Sequence, residues 1–242
     1  MSTYQNKIAL SHVKKSFGTA EILKDISLEV KKGQVVALLG PSGSGKSTIF
    51  NLITNLITPD EGTITVDGNV GYMYQKDTMV PWKKVIDNIA LPLRFQGMNK
   101  REAREKAISY LDTFGLSGYE TKYPSMLSGG MKQRANFLKT YLTSNDIILL
   151  DEPFGALDSM TRKRMQMWLL SVTKEMNATI LLITHDIEEA IFLADQVYVL
   201  SDKPATVLGQ VAVEFETERT EATVLEERFI SYKKKITEIL EL

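Results

Sequence analysis

A glycine-rich segment at residues 40–48 carries the residue types that bind phosphate. It reads Gly40, Pro41, Ser42, Gly43, Ser44, Gly45, Lys46, Ser47 and Thr48. The glycines let the backbone wrap an anion without Cβ clashes, while the N–H groups of the loop and of a following helix point positive partial charge at it. Lys46 can reach the β- and γ-phosphates of a nucleotide, and the Ser47 hydroxyl can bind Mg²⁺. The alternative is a Gly/Ser-rich turn, which the strand and helix patterns on either side disfavour.

Two carboxylates, Asp151 and Glu152, follow the apolar run 147–150. In an open α/β sheet, chemistry gathers at the carboxyl ends of the strands. Asp151 is therefore placed to hold Mg²⁺, and Glu152 to act as the general base that polarises an attacking water. Taken alone, the pair would more often be a solvated turn before Pro153. Beside a complete phosphate-binding loop, the catalytic interpretation is favoured.

A second Gly-rich turn, Ser128-Gly129-Gly130, opens a predicted helix some twenty residues before the acidic pair. The Ser128 hydroxyl and the two glycine amides would form another anion site at a helix N-terminus. Such a site has a purpose only where it meets a phosphate. As a bare tripeptide the segment would usually be a loop, so its meaning depends on the order of the motifs.

The elements that must position these residues are predicted from hydrophobic periodicity. Strand-length runs that are apolar on both faces are typical of a covered parallel sheet, and they occupy residues 34–39, 147–150 and 179–183. Other segments predict an antiparallel sheet beside the nucleotide site, and these are 8–13, 26–30, 62–66 and 69–73.

Helical patterns fill the middle and the end of the chain. Asn99 is predicted to cap a helix. One face of that helix would carry Ala103, Ala107, Tyr110, Leu111 and Phe114. The segment 159–176 is a further predicted helix, and 218–242 is charged, with Leu225, Phe229, Ile236 and Leu240 at helical spacing.

The predicted fold class is α/β: a P-loop NTPase core with a flanking antiparallel β subdomain and an inserted α-helical subdomain. All of it forms a single domain. The core with its antiparallel sheet is predicted at 7–82 and 145–210, the helical subdomain at 83–144, and a C-terminal helical extension at 211–242.

Composition excludes several function classes. The 242 residues have a net charge of −1, which predicts no nucleic-acid partner. Cysteine is absent, so disulfides and thiol chemistry are excluded and a reducing cytosol is compatible. The first ten residues lack the apolar core of a signal peptide, and no run approaches the roughly 20 apolar residues of a membrane-spanning helix. Any membrane role is expected to come from a partner.

With its Ser128 turn and acidic pair in this order, the chain resembles the ABC ATPases over about residues 7–210. The resemblance implies that two copies sandwich two ATP molecules, with Ser128, Gly129 and Gly130 of one copy meeting the γ-phosphate held by the other. It also implies roles for single residues. These are Phe17 stacking on adenine, Gln75 contacting Mg²⁺ and the attacking water, Asp158 in a loop at the dimer interface, and His185 contacting the γ-phosphate. An isolated phenylalanine or histidine would otherwise be interpreted as structural.

Two features are similar to one subgroup, the importers of nitrate, taurine, alkanesulfonates and pyrimidine precursors. Met131 stands where many ABC ATPases have glutamine, and Pro81-Trp82 follows the Gln75 loop. The resemblance implies an ATP-hydrolysing importer subunit, peripheral on the cytoplasmic face of a bacterial-type membrane. It would bind a permease at 80–88 and act indirectly with a solute-binding protein. Trp82 could instead pack the helical subdomain. The alternative functions are the soluble subunit of an ABC exporter and a non-transport ABC ATPase.

Overall fold

The computed structural model describes residues 5–241. In chain order its strands are β1 (Asn6–Phe17), β2 (Ala20–Lys31), β3 (Val35–Leu39), β4 (Glu61–Val66), β5 (Val70–Met73), β6 (Ile147–Asp151), β7 (Thr179–Thr184), β8 (Gln196–Leu200) and β9 (Ala205–Ala212). Its α-helices are α1 (Lys46–Ile53), α2 (Val85–Ile89), α3 (Leu91–Phe95), α4 (Lys100–Ile108), α5 (Gly129–Thr143), α6 (Ser159–Met176), α7 (Ile187–Leu193) and α8 (Glu227–Leu240). These elements divide into two compact units, of which the second is Asn69–Met176 and the first is the rest of the described chain.

The first unit is built on a sheet with the strand order β4-β1-β2-β9-β8-β3-β7. β3 lies between β7 and β8 and is parallel to both. It is buried from Val36 to Leu39, which is why its sequence is apolar on both faces. β1 pairs with β2 and β4 in antiparallel register, as predicted. Both β1 and β2 extend beyond the predicted segments because polar residues at their ends still pair, although they do not alternate with apolar ones.

The C-terminal residues differ from the predicted helix. A 3-10 turn at Glu221–Leu225 comes first, and α8 follows it. Phe229 and Ile236 are buried against the unit, but the side chain of Leu225 is 79% exposed. The prediction for Leu225 was therefore wrong, because its helical spacing from Phe229 is interrupted by the extended backbone of Glu226.

The second unit joins the parallel strands β5 and β6 to a group of helices. The assignment of 69–73 to the antiparallel sheet was therefore wrong, because β5 pairs in parallel register with β6, which lies far from it in the sequence. α4 begins at the predicted cap, since the Asn99 side chain accepts hydrogen bonds from Arg101 N and Glu102 N. It ends at Ile108, so Ala103 and Ala107 of the predicted face lie in the helix. The other three residues of that face, from Tyr110 to Phe114, lie beyond its end, and Gly115 after them has a φ of +58°. Phe114 is nevertheless fully buried and packs edge-on against Trp168 of α6.

No helix within residues 5–241 has both the length and the apolar character needed to cross a bilayer. The predicted subdivision of the chain into core, helical subdomain and C-terminal extension stays a prediction.

Candidate active site

The glycine-rich loop connects β3 to α1 in the first unit, between the two elements predicted for it. Gly43 and Gly45 have φ values of +85° and +102°, a region that residues with a Cβ rarely adopt. A Cβ on Gly45 would also lie 2.9 Å from side-chain atoms of Ile22 and Leu23. The loop can therefore take this course only with glycine at position 45.

The N-terminus of α1 has no side-chain cap, since its cap residue is Gly45, and no acidic residue in its first turn, a combination that suits an anion. Lys46 is buried beside the loop and donates from Nζ to Gly40 O at 2.8 Å and to Pro41 O at 2.7 Å. Ser44 Oγ is buried and has no hydrogen-bond partner among the described residues. Ser42, Gly43 and Ser47 are exposed, and Thr48 is half-buried.

Phe17 and His185 also belong to the first unit. The Phe17 ring is 51% exposed at the end of β1, and Lys15 Nζ lies 5.5 Å from its centroid. A role in the core is thus excluded, and the ring is free to stack. His185 is exposed between β7 and α7, directly before Asp186. The Asp186 side chain caps α7, because its Oδ1 accepts hydrogen bonds from the backbone amides of Glu188 and Glu189.

Asp151 and Glu152 lie in the second unit, at the carboxyl end of β6. Asp151 is 8% exposed, and its Oδ2 accepts a 3.0 Å hydrogen bond from the hydroxyl of Tyr72 on the neighbouring strand. Burial and the nearby carboxylate raise the pKa of the Tyr72 hydroxyl well above its usual range, so it stays a donor. Sequence reasoning missed Tyr72, because its contact depends on the β5–β6 pairing, which periodicity does not reveal.

Glu152 has a left-handed backbone, with φ of +43°. For a residue with a Cβ this conformation costs of order 1–3 kcal/mol and is found mostly at functional sites. Gln75 Nε2 donates a 2.9 Å hydrogen bond to Glu152 Oε2. The structure thus brings together two of the residues predicted for hydrolysis, one from the end of β6 and one from the loop after β5.

The Ser128 turn opens α5, as predicted. Ser128 caps the helix by accepting a 3.3 Å hydrogen bond at Oγ from Met131 N, and no acidic residue occupies the first turn. The two glycines have a packing reason of their own. A Cβ on Gly129 would lie 3.1 Å from Leu157 Cδ2, and one on Gly130 would lie 3.2 Å from Thr161 Cγ2. They allow α5 to approach the start of α6 closely.

Asp158 caps the other helix at this point, α6. Its Oδ1 accepts a 3.0 Å hydrogen bond from Thr161 N, and this bond lowers the pKa of the carboxyl. The residue is exposed, so the structure is compatible with a further contact to a second molecule.

The segment after Gln75 is held by two polar side chains. Asp77 Oδ1 accepts hydrogen bonds from Met79 N and from Asn136 Nδ2 of α5. Asn88 is fully buried, and its amide donates to Val80 O at 3.0 Å while its Oδ1 accepts from Val80 N at 2.7 Å. Further bonds from Asn88 reach the carbonyls of Lys83 and Lys84.

Trp82 projects from this braced loop and is 78% exposed. The alternative that it packs the helical subdomain is therefore wrong. A cavity of about 330 Å³ lies in the same unit, with Lys83, Asp87, Arg94, Phe95, Lys100 and Arg104 in its lining. Arg104 holds Asp87 through two hydrogen bonds, of 2.8 and 2.7 Å, which lower the pKa of that carboxyl.

A phosphate-binding loop, an acidic strand end and a second helix N-terminus together define a nucleotide-hydrolysing protein of the P-loop class. Comparison with known proteins narrows this class. The family model for ABC transporters matches residues 23–155. The formylaminopyrimidine import ATP-binding protein ThiZ of Halalkalibacterium halodurans is 43% identical, with 92% of this chain and 91% of that protein covered.

Two further import ATP-binding proteins are similarly close. NrtD, for nitrate, of Synechocystis sp. is 38% identical and the match covers 92% of this chain and 89% of that protein. TauB, for taurine, of Yersinia pestis is 41% identical, and the match covers 80% of this chain and 79% of that protein. Among solved structures, a dimeric ATP-binding cassette bound to ADP and Pi superimposes with a TM-score of 0.73 at 29% identity, covering 86% of this chain and 99% of the cassette.

The chain therefore belongs to the ABC transporter family. It is an ATP-binding and ATP-hydrolysing subunit of the import type, and the predicted fold class and subgroup are confirmed. The exporter and non-transport alternatives are disfavoured by the same relatives.

Proposed function

We propose that two copies of this chain bind two MgATP molecules between them and hydrolyse them to drive a separate permease. The hydrogen bond between Gln75 and the strained Glu152 is the observation that supports hydrolysis most directly. Dimerisation is supported by the Ser128 helix N-terminus and by the dimeric cassette to which the chain is similar.

In this proposal the glycine-rich loop and Lys46 hold the phosphates, and Phe17 stacks on the adenine. Glu152 accepts a proton from water as the water oxygen attacks the γ-phosphorus. The bond from that phosphorus to the β–γ bridging oxygen breaks, and its electron pair leaves with ADP. Gln75 orients the water, and His185 together with the Ser128 turn of the second copy contacts the γ-phosphate.

Mg²⁺ fits the residues available for it, since it typically takes one or two carboxylates and completes its shell with phosphate oxygens and waters. Asp151 supplies a nearly buried carboxylate, and Ser47 an exposed hydroxyl on the first turn of α1. The described residues contain no cluster of three or more acidic or histidine side chains that would hold a metal without a nucleotide. When bound, the ion would neutralise charge on the phosphates. Gln75 is the third residue proposed to contact Mg²⁺, after Asp151 and Ser47.

Substituting Glu152 tests the mechanism. Glu152→Gln should keep ATP binding but release little phosphate, and the protein should collect as an ATP-bound dimer on size-exclusion chromatography. Glu175→Gln, an exposed position on α6, is the matched control. Phosphate release by Glu152→Gln at the wild-type rate would contradict the assignment.

The permease is proposed to dock on the segment 80–88, a loop followed by the start of α2, which would place the chain on the cytoplasmic face of the membrane. Trp82 and Phe95 are 78% and 82% exposed, an unusual exposure for aromatic side chains, and the buried Asn88 holds the loop in shape. Trp82→Ala should abolish co-purification of the permease, whereas Ile108→Ala, another exposed apolar residue of the same unit, should not. Unchanged co-purification with Trp82→Ala would contradict this docking site.

The imported compound is proposed to be a small organic or anionic solute of the nitrate, sulfonate, taurine or pyrimidine-precursor type. This proposal rests on the names of the relatives, because the permease and a solute-binding protein would select the compound. Growth of a deletion strain on these compounds as the source of nitrogen, sulfur or vitamin precursor tests it. Normal growth on all of them would contradict it.

A further inference from the structure

The short helix α7 connects His185 to the C-terminal part of the first unit. It spans Ile187–Leu193 and starts two residues after His185. A helix of this length has little stability of its own, so tertiary contacts must hold it. Its buried face supplies some of these contacts through Ala190, Ile191, Phe192 and Leu193. The others come from the segment that follows β9.

Arg219 of that segment binds the C-terminal end of α7. Its Nη2 donates to Ala194 O at 2.8 Å and its Nη1 donates to Phe192 O at 3.3 Å. These carbonyls belong to the group that a helix leaves unpaired at its end, and a cation there is favoured by the helix dipole.

The side chain of Arg219 is itself firmly placed. It is only 12% exposed, and Asp195 Oδ1 lies 3.7 Å from its Nη2. The guanidinium carbon also stands 5.3 Å from the centroid of the Phe215 ring. A buried guanidinium fixed on several sides is suited to hold the helix end at one position.

A second contact reaches the other end of α7. Lys233 of α8 places Nζ 2.6 Å from Oε1 of Glu188, in the first turn of α7 and three residues from His185. α8 is anchored by the buried side chains of Phe229 and Ile236. The C-terminal segment thus contacts α7 at both ends.

We propose that Arg219, assisted by Lys233, is a positioning residue for His185. The C-terminal segment would fix α7, and through α7 the approach of His185 to the γ-phosphate. This inference rests on the proposed role of His185. Because a misplacement of about 1 Å can cost on the order of 10²-fold in rate, a contact remote from the phosphate can control turnover.

A spectroscopic experiment tests the positioning without relying on activity. The chain has 2 histidines, so ring-¹⁵N histidine labelling gives NMR signals from His12 and His185 alone. His12, on β1, serves as the internal reference. Arg219→Gln should shift the His185 ring signals and leave those of His12 in place. Arg228→Gln removes an arginine of α8 that bonds Tyr232 and Glu216 instead of α7, and it should shift neither. Unchanged His185 signals in Arg219→Gln would overturn the proposal.

Kinetics then separate positioning from general stability. Arg219→Gln should lower kcat on the order of 10-fold with little change in KM for ATP, but should have no further effect in a His185→Ala background. An equal fold-loss in both backgrounds would overturn the proposal. Wild-type turnover by His185→Ala would instead refute the catalytic role of His185, while the NMR result still decides whether Arg219 positions it.

The exposed ion pair of Lys233 and Glu188 provides a variant that does not disturb the buried arginine. Lys233→Glu should also shift the His185 signals, to a smaller extent, because it opposes like charges at the first turn of α7. Adding Glu188→Lys restores opposite charges and should return the signals toward those of wild type. If Arg219→Gln does not fold, the lack of a shift in Lys233→Glu, or of recovery in the double variant, overturns the proposal.

Discussion

The side-chain amide of Gln75 donates a 2.9 Å hydrogen bond to Oε2 of Glu152, within the second unit. Gln75 follows β5 and Glu152 directly follows β6, and these strands are parallel neighbours. The amide thereby fixes the orientation of the carboxylate. This contact predicts that the two residues act together.

Gln75→Ala should lower kcat by roughly 10- to 100-fold with little change in KM for ATP, because the general base loses its orientation. Steady-state phosphate release measures this. Lys76→Ala, at the next exposed position, is the control. If Gln75→Ala raises KM and leaves kcat intact, then Gln75 contributes to binding instead of hydrolysis.

Tyr72→Phe should weaken the affinity for Mg²⁺ in the presence of ATP by roughly 10-fold, because the Asp151 carboxylate loses a charge-assisted hydrogen bond. Electron paramagnetic resonance of bound Mn²⁺ reports the affinity directly. Tyr74 stacks on Tyr72 at 4.0 Å between ring centroids, so Tyr74→Phe preserves the stack and makes the matched control. Equal effects of the two variants would argue against a specific role of the Tyr72 hydroxyl.

Gly45→Ala should be far more damaging than Gly43→Ala. Both glycines have positive φ, for which a Cβ costs about 1–2 kcal/mol. Only at Gly45 does the Cβ also collide with neighbouring side chains, while Gly43 has no atom within 4 Å of the added carbon. Thermal unfolding and ATP-binding titrations compare the two variants. A Gly43→Ala protein that is the less stable of the two would contradict the packing argument.

Asn88→Ala should reduce the free energy of unfolding by about 2–4 kcal/mol, because it removes a fully buried amide together with its hydrogen bonds to Val80 and Lys83. Urea unfolding measures the loss. Asn99→Ala removes only an exposed helix cap and should cost about 1 kcal/mol. Losses of the same size would show that the interior of the loop is not the source of the stability.

The ion pair of Arg104 and Asp87 predicts a pH dependence. Arg104 lowers the pKa of the Asp87 carboxyl in the folded state. The pair therefore stabilises the fold at pH above the unfolded pKa of about 4, and this contribution disappears as the pH falls through the lower folded pKa. Arg104→Gln should cost up to about 1 kcal/mol near neutral pH, since the pair is partly exposed, and progressively less in acid.

Urea unfolding at several pH values follows this difference. Arg101→Gln breaks a more exposed pair with Glu105 on α4 and is the control. A cost of Arg104→Gln that does not change with pH would mean that packing of the long side chain, and not its charge, provides the stability.

The strands and helices that carry the motifs could be predicted from the sequence, because each motif lies at the end of a strongly apolar or amphipathic element. β3 and β6 are examples, since their runs of buried residues leave no polar face. The predictions that a helix continues after Ala107 and that Leu225 lies in the C-terminal helix were wrong. Hydrophobic periodicity cannot distinguish a helix from a series of turns with a similar spacing of apolar residues.

Side-chain partners of the site were less predictable. Tyr72 and Asn88 become meaningful only once strand pairing and loop course are known. The left-handed backbone of Glu152 is likewise invisible in a sequence, because glutamate has no intrinsic preference for it. Tertiary structure, and not local pattern, determines each of these.

The carboxylate of Asp77 has a mechanical consequence. By accepting hydrogen bonds from both Met79 and Asn136, it fastens the loop that carries Trp82 to the helix that Ser128 opens. Lys139 of α5 adds a second connection to the same loop, since its Nζ donates a 3.0 Å hydrogen bond to Thr78 O. A displacement of the exposed indole would thus be transmitted through these hydrogen bonds to α5, and with α5 to the Ser128 turn at its start.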